Sequence, residues 1–187
     1  MASKSVFVPI ATLGTSGRVG FLEFNVEAAK PDGKDPLADL CYPGLVKATE
    51  AARRAWMMIS PPCACTIQVV GAPPPITHSV GAGLGLSLCP FFWHDSPYAV
   101  AVVMGELIFC PDGNIMVGAV AKLADKLVSI QQLGYRPKPM LLILQNENLT
   151  AAEQVLLHSF ADYNVAVRKV STLAQAIQSC SGRLTDK

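Results

Sequence analysis

Charge is scarce in this chain, and what there is nearly cancels. Only 16% of the 187 residues are Asp, Glu, Lys or Arg, and the formal net charge is +1. The fifteen basic residues are scattered, with Arg53 and Arg54 adjacent, so no basic stripe points to nucleic acid or to an anionic membrane. Long apolar runs are missing as well: none reaches the roughly 18 residues that a membrane span needs. The opening Met1-Ala2-Ser3-Lys4-Ser5-Val6 is not a basic segment leading into a long apolar core. A soluble, cytoplasmic protein is expected. Six cysteines (Cys41, Cys63, Cys65, Cys89, Cys110 and Cys180) lie in mostly apolar surroundings, which suits reduced thiols better than a disulfide framework. Cys63-Ala64-Cys65 has no second Cys or His pair at finger-like spacing, so no zinc site is expected. His78, His94 and His158 share no i, i+4 spacing and read as surface or packing residues. Gly81, Gly83 and Gly85 follow neither the dinucleotide nor the Walker spacing, and no P-loop occurs anywhere. No cofactor and no metal are expected.

What the chain has in quantity is apolar side chain, 51% of residues, enough to build a core. Its length fits one domain, 1–187, with a core of about residues 6–180. Val6–Ile10 and Val19–Phe24, separated by Gly14-Thr15-Ser16-Gly17, read as a β-hairpin, and Lys30–Pro36 reads as a surface loop. Leu45, Ala48, Ala52, Trp56 and Ile59 recur at helical spacing from Gly44 to Ile59. Cys65–Val70 is a β-branched strand. Ser79–Leu88 is almost wholly small or apolar, the composition of a buried helix, with Ser79 in position to cap it. Tyr98–Cys110 divides into two extended stretches at Gly105-Glu106, and a turn at Pro111-Asp112-Gly113 returns through Ile115–Val117 as a hairpin. From Ala119 to Leu133, Val120, Leu123, Leu127 and Ile130 form an apolar stripe, with Lys122, Asp125 and Lys126 outside it and Gly134 as a C-terminal cap. Pro139–Leu144 is a continuous apolar strand, and Thr150-Ala151-Ala152-Glu153 is a capping box. A strand over Asn164–Val170 and a helix capped by Ser171 or Thr172 close the chain. The alternation predicts an α/β fold, an α+β sandwich of helices on a sheet.

Several of these pieces resemble one family in order and spacing. Gly44–Ala52 is similar to the helix after its first hairpin, and Met104-Gly105-Glu106-Leu107-Ile108 to its Gly-Glu-hydrophobic strand. Gly113-Asn114-Ile115-Met116-Val117 resembles the hairpin return that follows, and Lys122–Leu127 with Leu133-Gly134 the next helix. Leu141–Leu144 with Gln145–Asn148 resembles a strand ending in a Pro-x-x-Asn-type turn, and Val167–Ala176 the closing Val-Ser-Thr-Leu segment. The family is the proteolytic domain of Lon proteases, with its non-proteolytic relatives in RadA-type recombination proteins and magnesium-chelatase-like competence proteins. The resemblance implies a ribosomal S5 domain 2-like fold over roughly Val6 to Cys180.

In active members, the resemblance implies, a serine in a Gly-Pro-Ser-Ala-Gly turn is the nucleophile and a lysine near the start of the later helix takes its proton. Such a dyad needs an unprotonated lysine beside the hydroxyl, because serine is a weak nucleophile on its own. Here Gly81 stands in the serine's place and Ala124 in the lysine's place. Lys122 and Lys126 lie two residues to either side, a rotation of about 200° on a helix, which turns them away from the base's position. With the gap near Val117–Ala121 placed differently, Lys122 comes into register. A relocated serine peptidase would use Ser79 with Lys122, or with His78 as base. The expectation is therefore a non-catalytic Lon-domain-like protein, with no catalytic residue, that acts as an assembly or protein-interaction module. By analogy with ring-forming relatives it self-associates or meets a protein partner, with Lys30–Pro36 and the aromatic Phe91–Tyr98 segment as contact candidates. A DNA-associated accessory domain, as in RadA, is a further alternative that the neutral charge disfavours.

Overall fold

The computed structural model describes residues 4–11, 19–26, 37, 40, 42–59, 66–70, 77–88, 96–133, 139–146 and 148–180. The hairpin expected at the start forms from β1 (Lys4–Ala11) and β2 (Val19–Val26), paired antiparallel from Lys4↔Val26 to Ala11↔Val19. A 3-10 turn at Pro43–Leu45 leads into α1 (Val46–Ile59), and β3 (Thr66–Val70) joins the far side of β2. A second 3-10 turn, Val80–Ala82, runs into the short helix α2 (Gly83–Leu88). Then follow β4 (Val100–Val103), the separate hairpin of β5 (Glu106–Phe109) and β6 (Ile115–Gly118), α3 (Leu123–Leu133) and β7 (Met140–Gln145). The last elements are α4 (Ala151–Ser159), β8 (Val165–Val170) and α5 (Leu173–Cys180). The main sheet has six strands in the order β3-β2-β1-β4-β7-β8, antiparallel on the β3-β2-β1 side and parallel from β1 to β8.

Period-two alternation divides each strand between two cores. Val6, Val8 and Ile10, Leu22 and Phe24, Ala101 and Val103, and Leu141 and Ile143 face α1, α2 and α5. Phe7, Phe21, Val100, Val102, Leu142 and Leu144 face the other way, against Leu123, Leu127 and Ile130 of α3 and Leu157 of α4. Strand β7 lies between parallel neighbours and is covered on both faces. Its unbroken apolar run, buried from Met140 to Gln145, follows from that position.

Local signals act where they were expected. The Thr150 hydroxyl accepts from the Glu153 N–H at 3.3 Å while the Glu153 carboxylate accepts from the Thr150 N–H at 2.8 Å, a complete capping box on α4. On α5 the cap is Thr172, whose hydroxyl accepts from the Gln175 N–H at 3.2 Å. Helix α3 starts at Leu123 rather than Ala119. Lys122 sits at φ +53, in the left-handed region that a continuous helix excludes, so the first turn begins after it. The expected turn Gly14–Gly17, the loop Lys30–Pro36, the cap Gly134 and Phe91–Asp95 lie outside the described residues.

Helix α2 is fully enclosed, with every residue from Gly83 to Leu88 buried. Glycine at three of the ten positions from Ser79 to Leu88 costs helix propensity, up to about 1 kcal/mol each relative to alanine. The offsetting gain is close approach: a Cβ on Gly85 would lie 2.4 Å from Val8 Cγ2 and 2.9 Å from the Val103 carbonyl oxygen. The helix therefore rests directly on the Val8 side chain of β1 and the backbone of β4. Gly85→Ala should lower the unfolding free energy by about 2 kcal/mol through overpacking, read from urea melts as a shifted midpoint with an unchanged slope. A neutral result would mean that α2 stands off the sheet.

Candidate functional site

The segment joining Ser79 to α2 and the segment entering α3 meet at Gly81 and Val120. A Cβ built on Gly81 would lie 2.3 Å from Val120 Cγ1 and 2.8 Å from Val120 Cβ, so the valine side chain occupies the space into which a side chain at residue 81 would project. Two backbone hydrogen bonds lock this arrangement to the start of β5: Gly105 N–H donates to the Gly81 carbonyl at 2.7 Å, and Leu84 N–H donates to the Gly105 carbonyl at 2.8 Å. Val120 is held from below by Gln145 at the end of β7, whose side-chain oxygen accepts from the Val120 N–H at 2.9 Å in a buried bond. Gly81 and the entry to α3 thus meet in space, and what fills the junction is hydrocarbon.

Ser79 is 1% exposed, and its hydroxyl has no hydrogen-bond partner among the described residues. The expectation that Ser79 caps the following helix is not met: no side-chain cap bond forms, because the turn begins as 3-10 and the cap residue holds φ −114, ψ 70. The Ala82 N–H bonds instead to the Ser79 carbonyl at 3.1 Å. His78 is exposed, and neither it nor Lys122 lies within hydrogen-bond reach of the Ser79 hydroxyl. Lys122 is exposed, and Ala124 is half-buried on the first turn of α3. Thr77 and Thr49 add two more buried hydroxyls without partners.

The surprise is Lys126. Its place outside the apolar stripe predicted a solvated side chain, yet it is 1% exposed. Lys126 is three residues after Leu123 and four before Ile130, both core residues, so it lies on the flank of the stripe and is drawn in with it. It is about 140° around the helix from Gln131, whose amide donates to the Ser159 hydroxyl of α4. Lys126 therefore occupies the flank away from Gln131 and its α4 partner. Desolvation pulls its ammonium down from the ordinary lysine range to about 8. No signal of composition marks it, since a lysine at a stripe edge usually snorkels out.

Among the described residues no group of three His, Cys, Asp or Glu side chains is placed to hold a metal ion. No helix there is long and apolar enough to cross a membrane. Cys180 is buried, and burial pushes its thiol up to about 12, a structural rather than reactive cysteine.

Lys126 makes a pH test with a definite sign. Its folded-state pKa is depressed, so below pH 8 both states carry the proton and the folded state bears the full desolvation cost. Between about pH 8 and the unfolded lysine's value, the unfolded state holds the extra proton and stability rises with pH. Lys126→Met removes that cost. The variant should exceed the parent at pH 7 by up to roughly 3 kcal/mol, and the gap should close toward pH 10 in paired denaturant melts. A gap that stays constant with pH would place the ammonium in water. Compared with protein-family models, with curated proteins and with solved structures, the chain matches none.

Proposed function

We propose that this chain is a non-catalytic relative of the Lon proteolytic domain, a scaffold that has lost the serine-lysine dyad and serves as a protein-interaction module, assembling with copies of itself or with a protein partner. The observation that carries the reading is the junction of Gly81 with Val120. Acyl transfer at that place needs a hydroxyl on residue 81 and open space for a substrate carbonyl above it; glycine supplies no hydroxyl, and Val120 Cγ1 stands 2.3 Å from where even a Cβ would be. The order of elements supports the family assignment: first hairpin, α1, the buried α2, the Gly105-Glu106 strand with its return, α3, β7 and the closing Val170-Ser171-Thr172-Leu173 all follow in the sequence that the resemblance implies.

A relocated peptidase would need Ser79 activated by Lys122 or His78. A serine nucleophile must be reached by substrate and must share its proton with a base. The Ser79 hydroxyl is enclosed and unpaired, and both candidate bases are exposed away from it. Lys126 has the depressed pKa that a lysine base requires, but it too forms no hydrogen bond with Ser79.

Treatment of the folded protein with a fluorophosphonate probe should leave it unlabelled, and Ser79→Ala should behave identically. Labelling that disappears in the Ser79→Ala variant would overturn the non-catalytic reading.

A further inference from the structure

Strand β8 ends the sheet, and among the described residues nothing pairs with its outer side. The hydrogen bonds to β7 fix which groups face out. Met140 N–H donates to the Asn164 carbonyl and Asn146 N–H to the Val170 carbonyl, so even-numbered residues of this strand address β7. By alternation, the N–H and C=O groups of Val165, Val167 and Lys169 point away from the sheet. The side chains of the same three residues turn toward α4. There, with Leu157, His158 and Ala161, they line an open groove of about 340 Å³. The residues whose backbone groups face outward are thus the ones that wall the groove.

The opposite face of the edge is different. Arg168 curls back so that Nη1 donates to the Val167 carbonyl at 3.1 Å, covering one outward acceptor. Its Nε is buried and has no partner. Charged residues on an edge strand commonly block unwanted pairing. This guard is incomplete, since a guanidinium held on a single carbonyl has donors to spare for a carboxylate. Among the described residues no carboxylate lines the groove, and His158 and Lys169 are both exposed beside it.

We propose that the β8 edge is the docking site of the module, and that it takes an extended segment of a partner protein with alternating apolar and acidic residues. The segment adds as a seventh strand along Val165–Lys169. Its apolar side chains enter the groove between β8 and α4. Its carboxylates, on the other face, pair with Arg168 and draw the guanidinium off the Val167 carbonyl, which then accepts a backbone N–H from the incoming strand. Main-chain bonds supply affinity and the alternating side chains supply specificity, as in other strand-addition complexes. The proposal deepens the interaction-module reading and rests on it. Its failure would leave the absence of a nucleophile, tested separately by the fluorophosphonate probe, untouched.

The test is titration of ¹⁵N-labelled protein with a capped heptapeptide alternating valine and glutamate, beside the same peptide with lysine for glutamate. The glutamate peptide should bind saturably, shift the β8 amides, and protect the Val165, Val167 and Lys169 N–H groups from exchange. Arg168→Ala should weaken binding by about tenfold through loss of the charge-assisted pair. Val167→Pro removes an outward N–H while sparing the ladder to β7; it should abolish protection in a protein whose remaining spectrum is unchanged. The proposal is overturned by unshifted β8 amides at saturating peptide, by equal binding of the lysine peptide, or by undiminished binding to a folded Val167→Pro variant. Protection of those amides without peptide, together with a dimeric mass that Val167→Pro makes monomeric, would overturn it in favour of a second copy of this chain.

Discussion

The contact on which the rest of this structure depends is the seating of α2 on Val8 of β1 and the backbone of β4. A helix that presents glycine to a sheet loses propensity but gains distance, and here the gain is used at both ends. Gly85 lets the helix reach Val8 and the Val103 carbonyl. Gly81, one turn earlier, lets the entry to α3 press its valine against the helix start. The Ser87 hydroxyl folds back to the Gly83 carbonyl at 2.8 Å, and Trp56 Nε1 of α1 donates to the Ser87 carbonyl at 3.1 Å, so the polar groups of so tight a helix are answered internally. Close packing of this kind tolerates little added volume.

The same seating bears on chemistry. The entry to this buried helix is pinned at Gly81 and Leu84 by two backbone hydrogen bonds to Gly105, which fixes the position of residue 81. What stands at the position is a glycine faced by hydrocarbon. Among the described residues the hydroxyls of Thr49, Thr77 and Ser79 have no partner and each is sealed from solvent, and a buried hydroxyl without a partner costs about 1–3 kcal/mol rather than contributing reactivity. Among the described residues, Lys126 has a markedly lowered pKa, and burial is its cause.

Most elements could be read from the residues alone, because periodicity and capping are local. The hairpin of β1 and β2, the stripe of α3, the apolar run of β7 and the capping box at Thr150 each follow from neighbours within a few positions. Three features did not follow. Lys126 lies at the margin of an apolar stripe, where residue type argues for solvent and geometry for burial; only the tertiary packing of α3 decides it. Ser79 has the identity of a cap, but the 3-10 entry to α2 takes its carbonyl and leaves its hydroxyl idle. The apposition of Gly81 with Val120 joins residues 39 positions apart, which no local pattern encodes. The β8 groove was likewise invisible in one dimension, since an edge strand and a central one can share the same Val-rich sequence.

The claim on which the account stands or falls is that Val120 closes the place where a catalytic side chain would sit. A ¹³C-edited NOESY spectrum of the native protein measures it without any substitution. The account predicts strong cross-peaks between the Gly81 α protons and the Val120 γ methyls, in a protein whose Gly105 amide is slow to exchange. Absence of those cross-peaks, with both residues assigned and the Gly105 amide exchanging freely, would mean that the junction is open and would contradict the reading of this chain as a scaffold without a catalytic site.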